Sequence, residues 1–333
     1  MALDLTFGGG EYNLTDPLLT GAVEPQGIDL TSVTYPSATR HWRMLRHQEF
    51  DICELSLSSY LLSRQDADEY PFTAIPVFPH RLFRHSYMFK HSGAEVEDPG
   101  DLSGKDVVIR TWQTTSGVWM RGIAREEYGL DLESVTWYVD DTEDVPIDIP
   151  DRFDIRQLGD DQNLEEMLLE GELDGAMYPV IMDSIRNPDA SAERIFDDYR
   201  EVETEYFRKT GIFPPMHTVV VRDEVLERHP WVAVNLYEAF EEARDRCLRK
   251  LEDPRTSPFV WPHHHLEEQR RIFGGNPWEY GLTDNNRRAL SKLQEYADNQ
   301  GIIPHEYDFD ELFFETTLDE ELRSKGYVSG SHD

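Results

Sequence analysis

A short basic segment lies between residues 75 and 87, in a chain that is otherwise strongly acidic. It begins in an apolar, β-branched stretch, residues 72–78, that predicts a buried strand. Four cationic or titratable side chains follow within six residues: His80, Arg81, Arg84 and His85. Arginine pairs with carboxylates through two parallel hydrogen bonds and stacks on rings. The segment therefore predicts a site for an anionic, planar ligand, and pairing of these side chains with surface carboxylates is the alternative.

Hydroxyl side chains occur at two places where a helix is predicted to begin directly after a strand. The first is Ser56, with Ser58 and Ser59 in the first turn, and the second is Thr115 with Ser116. Free backbone N–H groups at helix starts bind anions, and the alternative is that these hydroxyls only cap their helices. Weaker candidates, each at or just beyond a strand or helix end, are Arg40, Thr114, Tyr60 and Tyr178.

The charge balance excludes several classes of partner. The 333 residues carry 32 basic and 66 acidic side chains, a net charge of −34. Such a balance argues against nucleic acid and anionic membranes as partners, and no apolar run approaches the roughly 18 residues of a membrane helix. Only six of the basic residues are lysine. An even acidic coat that is poor in lysine indicates adaptation to high salt, where the charges are screened, so we expect a halophilic protein.

Metal, nucleotide and disulfide signals are weak. Cys53 and Cys247 lack metal-ligand spacing and predict no disulfide framework. The consecutive residues His263–His265 would point in different directions on a helix and could not share one ion. No GxGxxG motif follows the first strand. We expect no metal and no cofactor.

The N-terminal residues show no export signal, which predicts a cytoplasmic protein.

Strand and helix patterns alternate along the chain, which predicts an α/β fold with largely parallel sheets. Strands are predicted near residues 3–7, 28–30, 50–55, 72–78, 85–89, 107–110, 135–139, 173–178 and 218–222. Helices are predicted near residues 39–47, 56–64, 114–128, 163–170, 194–205, 231–251, 264–273 and 283–299. The length favours two lobes, because single cores stop growing near about 250–300 residues. The helical C-terminal third could carry a homo-oligomer interface.

Several segments resemble the 4,5-dihydroxyphthalate decarboxylase-like family, and together they extend over most of the chain. They are Arg46–Asp51, Leu55–Tyr60, Ile75–Pro79, Phe83–Ser86, Trp119–Ile123, Thr210–Pro214, Met216–His217 and Glu227–Ala233. The family resembles type II periplasmic-binding proteins: two α/β lobes joined by two crossing strands, with a ligand cleft between them. The resemblance implies crossings near residues 105–110 and 217–222. Lobe I would comprise residues 1–105 and 217–333, and lobe II residues 106–216.

The resemblance implies a carboxy-lyase that decarboxylates a hydroxylated, phthalate-type acid without a cofactor, as in 4,5-dihydroxyphthalate to 3,4-dihydroxybenzoate. Such a reaction needs a cationic clamp, a group acting on the phenol and a proton donor. Arg84 and Arg81 suit the clamp, and His85 or His217 suits proton transfer. The alternative is a solute-binding protein for an aromatic or dicarboxylic anion, without catalysis. The residues leave the exact substrate, and the choice between the two histidines, open.

Overall fold

The structure is a computed structural model that describes residues 2–159, 161–187 and 189–318. The described chain divides into two compact units. The first unit comprises residues 2–81, 215–290 and 307–318, and the second comprises residues 82–214 and 291–306. Each unit is built around its own β-sheet, so the two sheets and their helices are described separately.

The strands, in chain order, are short and fall largely where the apolar patterns predict them. They are β1 (Leu3–Gly9), β2 (Ile28–Thr34), β3 (Ile52–Ser56), β4 (Phe72–Ile75), β5 (Met88–His91), β6 (Asp106–Ile109), β7 (Thr136–Val139), β8 (Asp154–Gln157), β9 (Gly175–Met177), β10 (Ala192–Arg194) and β11 (His217–Arg222). The sequence patterns missed β8 and β10. The missed β8 has no fully buried residue and so lacks an apolar signal.

The helices confirm most of the predicted pattern. They are α1 (Asp16–Leu19), α2 (Ser37–His47), α3 (Leu57–Ser63), α4 (Thr115–Tyr128), α5 (Leu164–Glu170), α6 (Tyr199–Thr210), α7 (Asp223–Arg228), α8 (Trp231–Leu251), α9 (Pro262–Phe273), α10 (Asp284–Asn299) and α11 (Phe309–Leu312). Local chemistry sets several ends. Gly129 takes the left-handed conformation after α4, and the Asn163 side chain accepts two N–H groups at the start of α5, as expected of caps.

The sheet of the first unit has the strand order β2-β1-β3-β11-β4. β1 runs parallel to β2 and β3, whereas β11 is antiparallel to β3 and β4. In the register of β3 and β11, His217 lies opposite Ser56 and Val219 lies opposite Glu54. All five residues of β3 are buried. The two strands therefore place polar side chains inside the first unit.

The sheet of the second unit has the order β10-β5-β9-β6-β7-β8. β6, β7, β8 and β9 pair in parallel, and β5 pairs antiparallel with β9 and β10. The expectation of largely parallel sheets is therefore wrong for β5, β10 and β11. Antiparallel pairing needs no crossover helix between neighbouring strands. β11 can therefore pair with β3 although it follows directly on the residues of the second unit.

The division into units differs from the predicted lobe boundaries. β5 is hydrogen-bonded into the second sheet, and the N–H of Leu82 donates to the carbonyl of Pro214. The first change of unit therefore falls between residues 81 and 82, earlier than the predicted 105, and the second falls close to the predicted position. Residues 291–306 group with the second unit. Residues 319–333 of the predicted lobe I lie outside the described residues.

Candidate functional site

A carboxylate and an imidazole meet in the middle of the first sheet. Glu54 of β3 and His217 of β11 are diagonal neighbours in the antiparallel register. Alternate residues of a strand share one face, so both side chains project from the same side. Nδ1 of His217 lies 2.5 Å from Oε1 of Glu54. The side chain of Glu54 is fully buried, and His217 retains a small exposed fraction. The arrangement is a buried carboxylate–imidazole pair.

Arg40 of α2 neutralises the second oxygen of the carboxylate. Its Nη2 lies 3.2 Å from Oε2 of Glu54, and both side chains are fully buried. Burial alone raises the pKa of Glu54, but the charge of Arg40 and the hydrogen bond from His217 outweigh it and hold that pKa at about 2. Glu54 is therefore ionised throughout the neutral range. One of its oxygens pairs with the Arg40 guanidinium and the other with the His217 imidazole.

Backbone groups fix both members of this ion pair. The Arg40 guanidinium also donates to the carbonyls of Glu54 (3.2 Å), Gly9 (3.3 Å) and Tyr35 (2.8 Å). The N–H of Gly10 donates to Oε2 of Glu54 at 2.8 Å. A Cβ at Gly10 would lie 2.8 Å from that oxygen, so glycine permits the close approach. Arg40, predicted as a possible ligand contact, is engaged here as the partner that holds Glu54.

Aromatic side chains surround the imidazole of His217. The ring of His80 lies 4.7 Å from it and the ring of His41 lies 4.9 Å from it, both edge-on. Tyr12 stacks on His80 at 5.2 Å, and its hydroxyl lies 3.4 Å from Nδ1 of His217. Burial, with the nearby charge of Glu54, raises the pKa of Tyr12. The phenol is therefore neutral at physiological pH.

The geometry assigns different roles to the two nitrogens of His217. A proton on Nδ1 is held by the Glu54 carboxylate, because an ionised carboxylate only accepts hydrogen bonds. Nε2 is then the nitrogen that gains or loses a proton. A buried carboxylate behind an imidazole fixes the tautomer and stabilises the imidazolium. The pair can therefore donate or accept a proton at a defined atom.

The other predicted residues of the first unit lie in and around α3 and in the part of the basic segment that belongs to this unit. Arg81 donates to the amide oxygen of Asn286 at 2.5 Å and to the carbonyl of Glu279 at 3.1 Å, and burial lowers its pKa. Ser56 precedes α3, and its side chain makes no capping hydrogen bond. Ser58 and Ser59, in the first turn of α3, are buried. Only Ser56 lies opposite His217 in the sheet.

Arg84 and His85 belong to the second unit. Arg84 donates to the carbonyl of Pro179 at 3.0 Å. His85 packs against the rings of Phe196 and Tyr206, at 5.9 and 5.1 Å. Burial lowers the pKa of His85 to about 4, and neither of its nitrogens has a hydrogen-bond partner among the described residues. The imidazole is thus neutral in an apolar setting. Its predicted catalytic role, and that of Arg84, stay predictions.

Thr114, Thr115 and Ser116 surround the start of α4, also in the second unit, as predicted from the sequence. Thr114 is the residue before the helix, and its hydroxyl bonds to that of Thr111. Tyr178 donates to Oδ2 of Asp140 at 2.7 Å. Burial and this hydrogen bond raise the pKa of Tyr178. The predicted contacts of all four residues with a ligand stay predictions.

Sequence reasoning missed three of the side chains that lie around His217: Glu54, Tyr12 and His41. His80 was noticed in the basic segment but was not assigned a role. Glu54 carried a usable signal, because it is the one charged residue in the apolar run Ile52–Leu55. A carboxylate in a buried strand needs a cation. Tyr12 and His41 carried no such signal, because a loop and a helix bring them to the sheet from elsewhere in the sequence.

Three further features were searched in the part of the chain that the structure describes. No group of three or more His, Cys, Asp or Glu residues there has a geometry that could hold a metal ion. Cys53 and Cys247 are both free and buried. Within the same residues, no helix combines the length and the apolar character required to span a bilayer.

Comparison with solved structures defines the fold class. The chain is similar to the periplasmic aliphatic sulphonate binding protein SsuA from Escherichia coli, with a TM-score of 0.54 and 11% identity over 100% of this chain and 99% of that one. At this identity the likeness shows the fold alone. The fold is the predicted one, that of type II periplasmic-binding proteins.

Sequence relatives define the family. A 4,5-dihydroxyphthalate decarboxylase from Comamonas testosteroni is 31% identical over 327 residues, which cover 95% of this chain and 98% of the relative. A protein of the same name from Pseudomonas putida is 30% identical over 212 residues, covering 62% and 82% of the two chains. No protein-family model matches. The chain belongs to the 4,5-dihydroxyphthalate decarboxylase family, as the sequence segments predicted.

Proposed function

We propose that this protein decarboxylates a dihydroxylated aromatic dicarboxylic acid, as in the conversion of 4,5-dihydroxyphthalate to 3,4-dihydroxybenzoate. The names of the two relatives support the reaction and the substrate class. The observation that carries the proposal is the buried pair of Glu54 and His217. A decarboxylation of this kind needs a proton donor of fixed orientation, and the pair provides one.

The reaction follows from the chemistry of the substrate. One ring hydroxyl is para to the carboxylate that leaves, and loss of its proton lets the oxygen donate electrons to the carbon bearing that carboxylate. This carbon takes up a proton, and the C–C bond to the carboxylate then breaks. The bonding electrons return to the ring, CO2 departs, and the hydroxyl recovers its proton. One proton is consumed for each CO2 released.

His217 is the proposed donor of the proton to the ring carbon, from Nε2. Glu54 stabilises the imidazolium before transfer and keeps Nδ1 protonated afterwards, and Arg40 keeps Glu54 ionised. Tyr12 and His80 flank the imidazole, and His80 is the candidate to exchange the proton of the substrate hydroxyl, because the phenol of Tyr12 is neutral. General acid–base catalysis of this kind contributes roughly 10²–10⁴-fold.

The substrate contacts are proposed from residue chemistry. Arg81 and Arg84 remain the candidates for carboxylate recognition, because arginine binds carboxylates in a bidentate way. The hydroxyl groups of Ser56, Ser58 and Ser59, and of Thr114, Thr115 and Ser116, remain the predicted helix-start contacts. Tyr178 remains a weaker candidate.

We also place the protein in a salt-rich cytoplasm. The chain has 66 acidic and 32 basic residues, and this balance supports a salt-rich compartment. Salt screens the repulsion between the negative charges of such a surface. The two free cysteines support a reducing compartment. Cell fractionation tests the location.

The test is turnover of 4,5-dihydroxyphthalate in about 1 M KCl, where the Debye length is about 3 Å. Ring absorbance and CO2 release are followed for the wild type, for His217→Gln and for the matched control His47→Gln, whose side chain is exposed on α2. We expect turnover in the wild type and the control. In His217→Gln we expect a loss of roughly 10²–10⁴-fold.

Two results would overturn the proposal. A wild-type protein whose melting temperature rises with the substrate, but which releases no CO2, would be a binding protein. Equal turnover in His217→Gln and the wild type would move the proton donor to another residue. Variants of His85 and Arg84, assayed in parallel, show whether that residue lies in the second unit.

A further inference from the structure

A buried arginine in the second unit has no role in the reaction described so far. Arg121 lies on α4, within the segment Trp119–Ile123, and its side chain is fully buried. Its Nε donates to the side-chain carbonyl of Gln300 at 2.8 Å, and its Nη2 donates to the backbone carbonyl of Trp112 at 2.5 Å. The guanidinium also lies 4.0 Å from the centre of the Trp112 ring. These neighbours hold the cation in place, but none of them carries a negative charge.

The charge of Arg121 has no ion-pair partner among the described residues. Its Nη1 is buried and accepts no partner there either. The charge of Glu143 acts on the guanidinium, but the two oxygens of Glu143 accept the N–H groups of Trp112 (2.6 Å) and Gln113 (3.1 Å). Burial lowers the pKa of Arg121 to about 9, so the group is protonated at neutral pH. A buried cation is costly unless an anion pairs with it.

The unpaired nitrogen of Arg121 lies beneath the first turn of α4. Helical side chains point towards the N-terminus of their helix, and a Cβ built on Gly117, the third residue of α4, would lie 2.9 Å from Nη1. The start of a helix already carries a partial positive charge and favours anions. The first turn of α4 contains no acidic residue. Two sources of positive charge therefore coincide at this helix start, and a bound anion would relieve their repulsion.

A hydroxyl group in the same turn also lacks a partner. Ser116 is 3% exposed, and its Oγ is buried with no hydrogen-bond partner in the part of the chain that the structure describes. The hydroxyl of Thr114, the residue before the helix, bonds to that of Thr111 and does not cap the first turn. The N–H groups of a first turn have no acceptor within their own helix. The start of α4 therefore presents hydrogen-bond donors as well as positive charge.

The position of this helix start in the second sheet agrees with ligand binding. α4 follows β6, and β6 pairs in parallel with β7 and β9. In open α/β sheets, ligands bind outside the carboxyl ends of the parallel strands. The start of α4 lies at this end of β6.

We propose that the start of α4 binds one carboxylate of the substrate and that Arg121 supplies the positive charge that compensates it. The inference rests on the proposed function for the identity of the substrate, a dicarboxylic acid. The Ser116 hydroxyl and the N–H groups of the first turn donate to the carboxylate oxygens, as helix starts do for other anions. Arg121 lies behind the turn and is a positioning residue, because it acts on the ligand through its charge.

The first experiment measures binding without turnover. Phthalate has two carboxylates but no ring hydroxyl, so the proposed reaction does not convert it. Titration calorimetry in about 1 M KCl compares the wild type with Ser116→Ala and with the matched control Ser184→Ala. The Ser184 hydroxyl is also buried in the second unit without a partner among the described residues. Ser116→Ala should raise the dissociation constant of phthalate roughly 10- to 100-fold, and the control should leave it unchanged.

The melting temperature without ligand separates a binding role of Ser116 from a structural one. Alanine favours a helix more than serine does, and the substitution removes a buried hydroxyl that has no partner. Ser116→Ala should therefore melt no lower than the wild type, although it binds phthalate more weakly. A structural role for the hydroxyl predicts the opposite result, a lower melting temperature with an unchanged dissociation constant.

Arg121→Met removes the buried charge and keeps an apolar side chain of similar length. It should raise the dissociation constant of phthalate roughly tenfold or more. In turnover of 4,5-dihydroxyphthalate it should raise KM and leave kcat nearly unchanged, because the carboxylate is bound equally in the ground state and the transition state. A merely structural Arg121 would instead lower the number of binding sites per chain, with an unchanged dissociation constant. If Arg121→Met does not fold, Ser116→Ala still tests the subsite.

The outcomes distinguish this inference from the proposed function. Wild-type binding of phthalate, weakened in Ser116→Ala, supports the subsite even if the wild type releases no CO2 from 4,5-dihydroxyphthalate. Release of CO2 by the wild type, with equal phthalate binding in the wild type and Ser116→Ala, would overturn the subsite and leave the proposed function standing. A wild type that binds no phthalate would also overturn it.

Discussion

Replacing Glu54 with glutamine tests both the stability and the chemistry of the His217 pair. Glutamine keeps the shape of the side chain and removes its charge. Arg40, fully buried beside it, then has no ionised partner at that position. Removing one member of a buried ion pair costs roughly 3–5 kcal/mol, because the remaining charge is left uncompensated.

The lowered pKa of Glu54 gives a second, order-of-magnitude value for its contribution to the free energy of unfolding. Its pKa lies at about 2, against an ordinary value of 4.5, because Arg40 and His217 outweigh the effect of burial. A tenfold change in proton affinity is worth about 1.4 kcal/mol, so the ionised carboxylate contributes on the order of 3 kcal/mol to folding. We expect Glu54→Gln to lower the free energy of unfolding at pH 7 by about 3 kcal/mol.

The sign of the pH dependence follows from the direction of the shift. Since the pKa of Glu54 is lower in the folded protein than in the unfolded chain, its contribution is complete above about pH 4.5 and is lost as the pH falls towards about 2. The difference in unfolding free energy between the wild type and Glu54→Gln should therefore shrink across this window. All other carboxylates are shared by the two proteins and cancel in the difference.

Urea unfolding in about 1 M KCl, where surface charges are screened, measures these free energies between pH 3 and pH 7. The matched control is Glu49→Gln, since Glu49 pairs with Arg43 at 2.7 Å on the surface, and such pairs contribute about 0–1 kcal/mol. Turnover should fall roughly 10²–10⁴-fold in Glu54→Gln alone. Equal unfolding free energies for the two variants, or unchanged turnover in Glu54→Gln, would refute the reasoning.

Three further predictions concern other parts of the protein. Burial lowers the pKa of His85 to about 4, so the free energy of unfolding should fall as the pH drops from about 6.5 towards 4. Urea unfolding should show a smaller fall in His85→Gln than in the wild type. An equal fall in the two proteins would contradict the lowered pKa of His85. The melting temperature should rise between dilute buffer and about 1 M KCl, and an unchanged value would count against halophilic adaptation. Gly122→Ala should destabilise the protein by about 1–3 kcal/mol in urea unfolding, since its Cβ would overlap the Tyr296 ring and this outweighs the gain of about 1 kcal/mol in helix propensity. Gly275→Ala, which meets open space, is the control, and equal stabilities would refute the clash.

The sequence by itself determined the elements and the family. Apolar periodicity located α2, α4 and α8 and the central strands, because each pattern reports burial within one short stretch. Gly129 and Asn163 marked helix ends through their own backbone and side-chain preferences. Segments spread along the chain identified the family, and His217 was selected from its residue type and position.

Only the tertiary structure decided what His217 does. Its partner Glu54 lies 163 residues away in the sequence, and the contact exists because β11 enters the first sheet antiparallel to β3. Local patterns carry no information on the register between distant strands, and the prediction of largely parallel sheets was wrong at this position. The same limit explains His85, whose residue type indicates proton transfer while its burial among aromatic rings sets its pKa. Residue type supplies the chemistry that is available, and the packing of distant segments sets the charge and the partners.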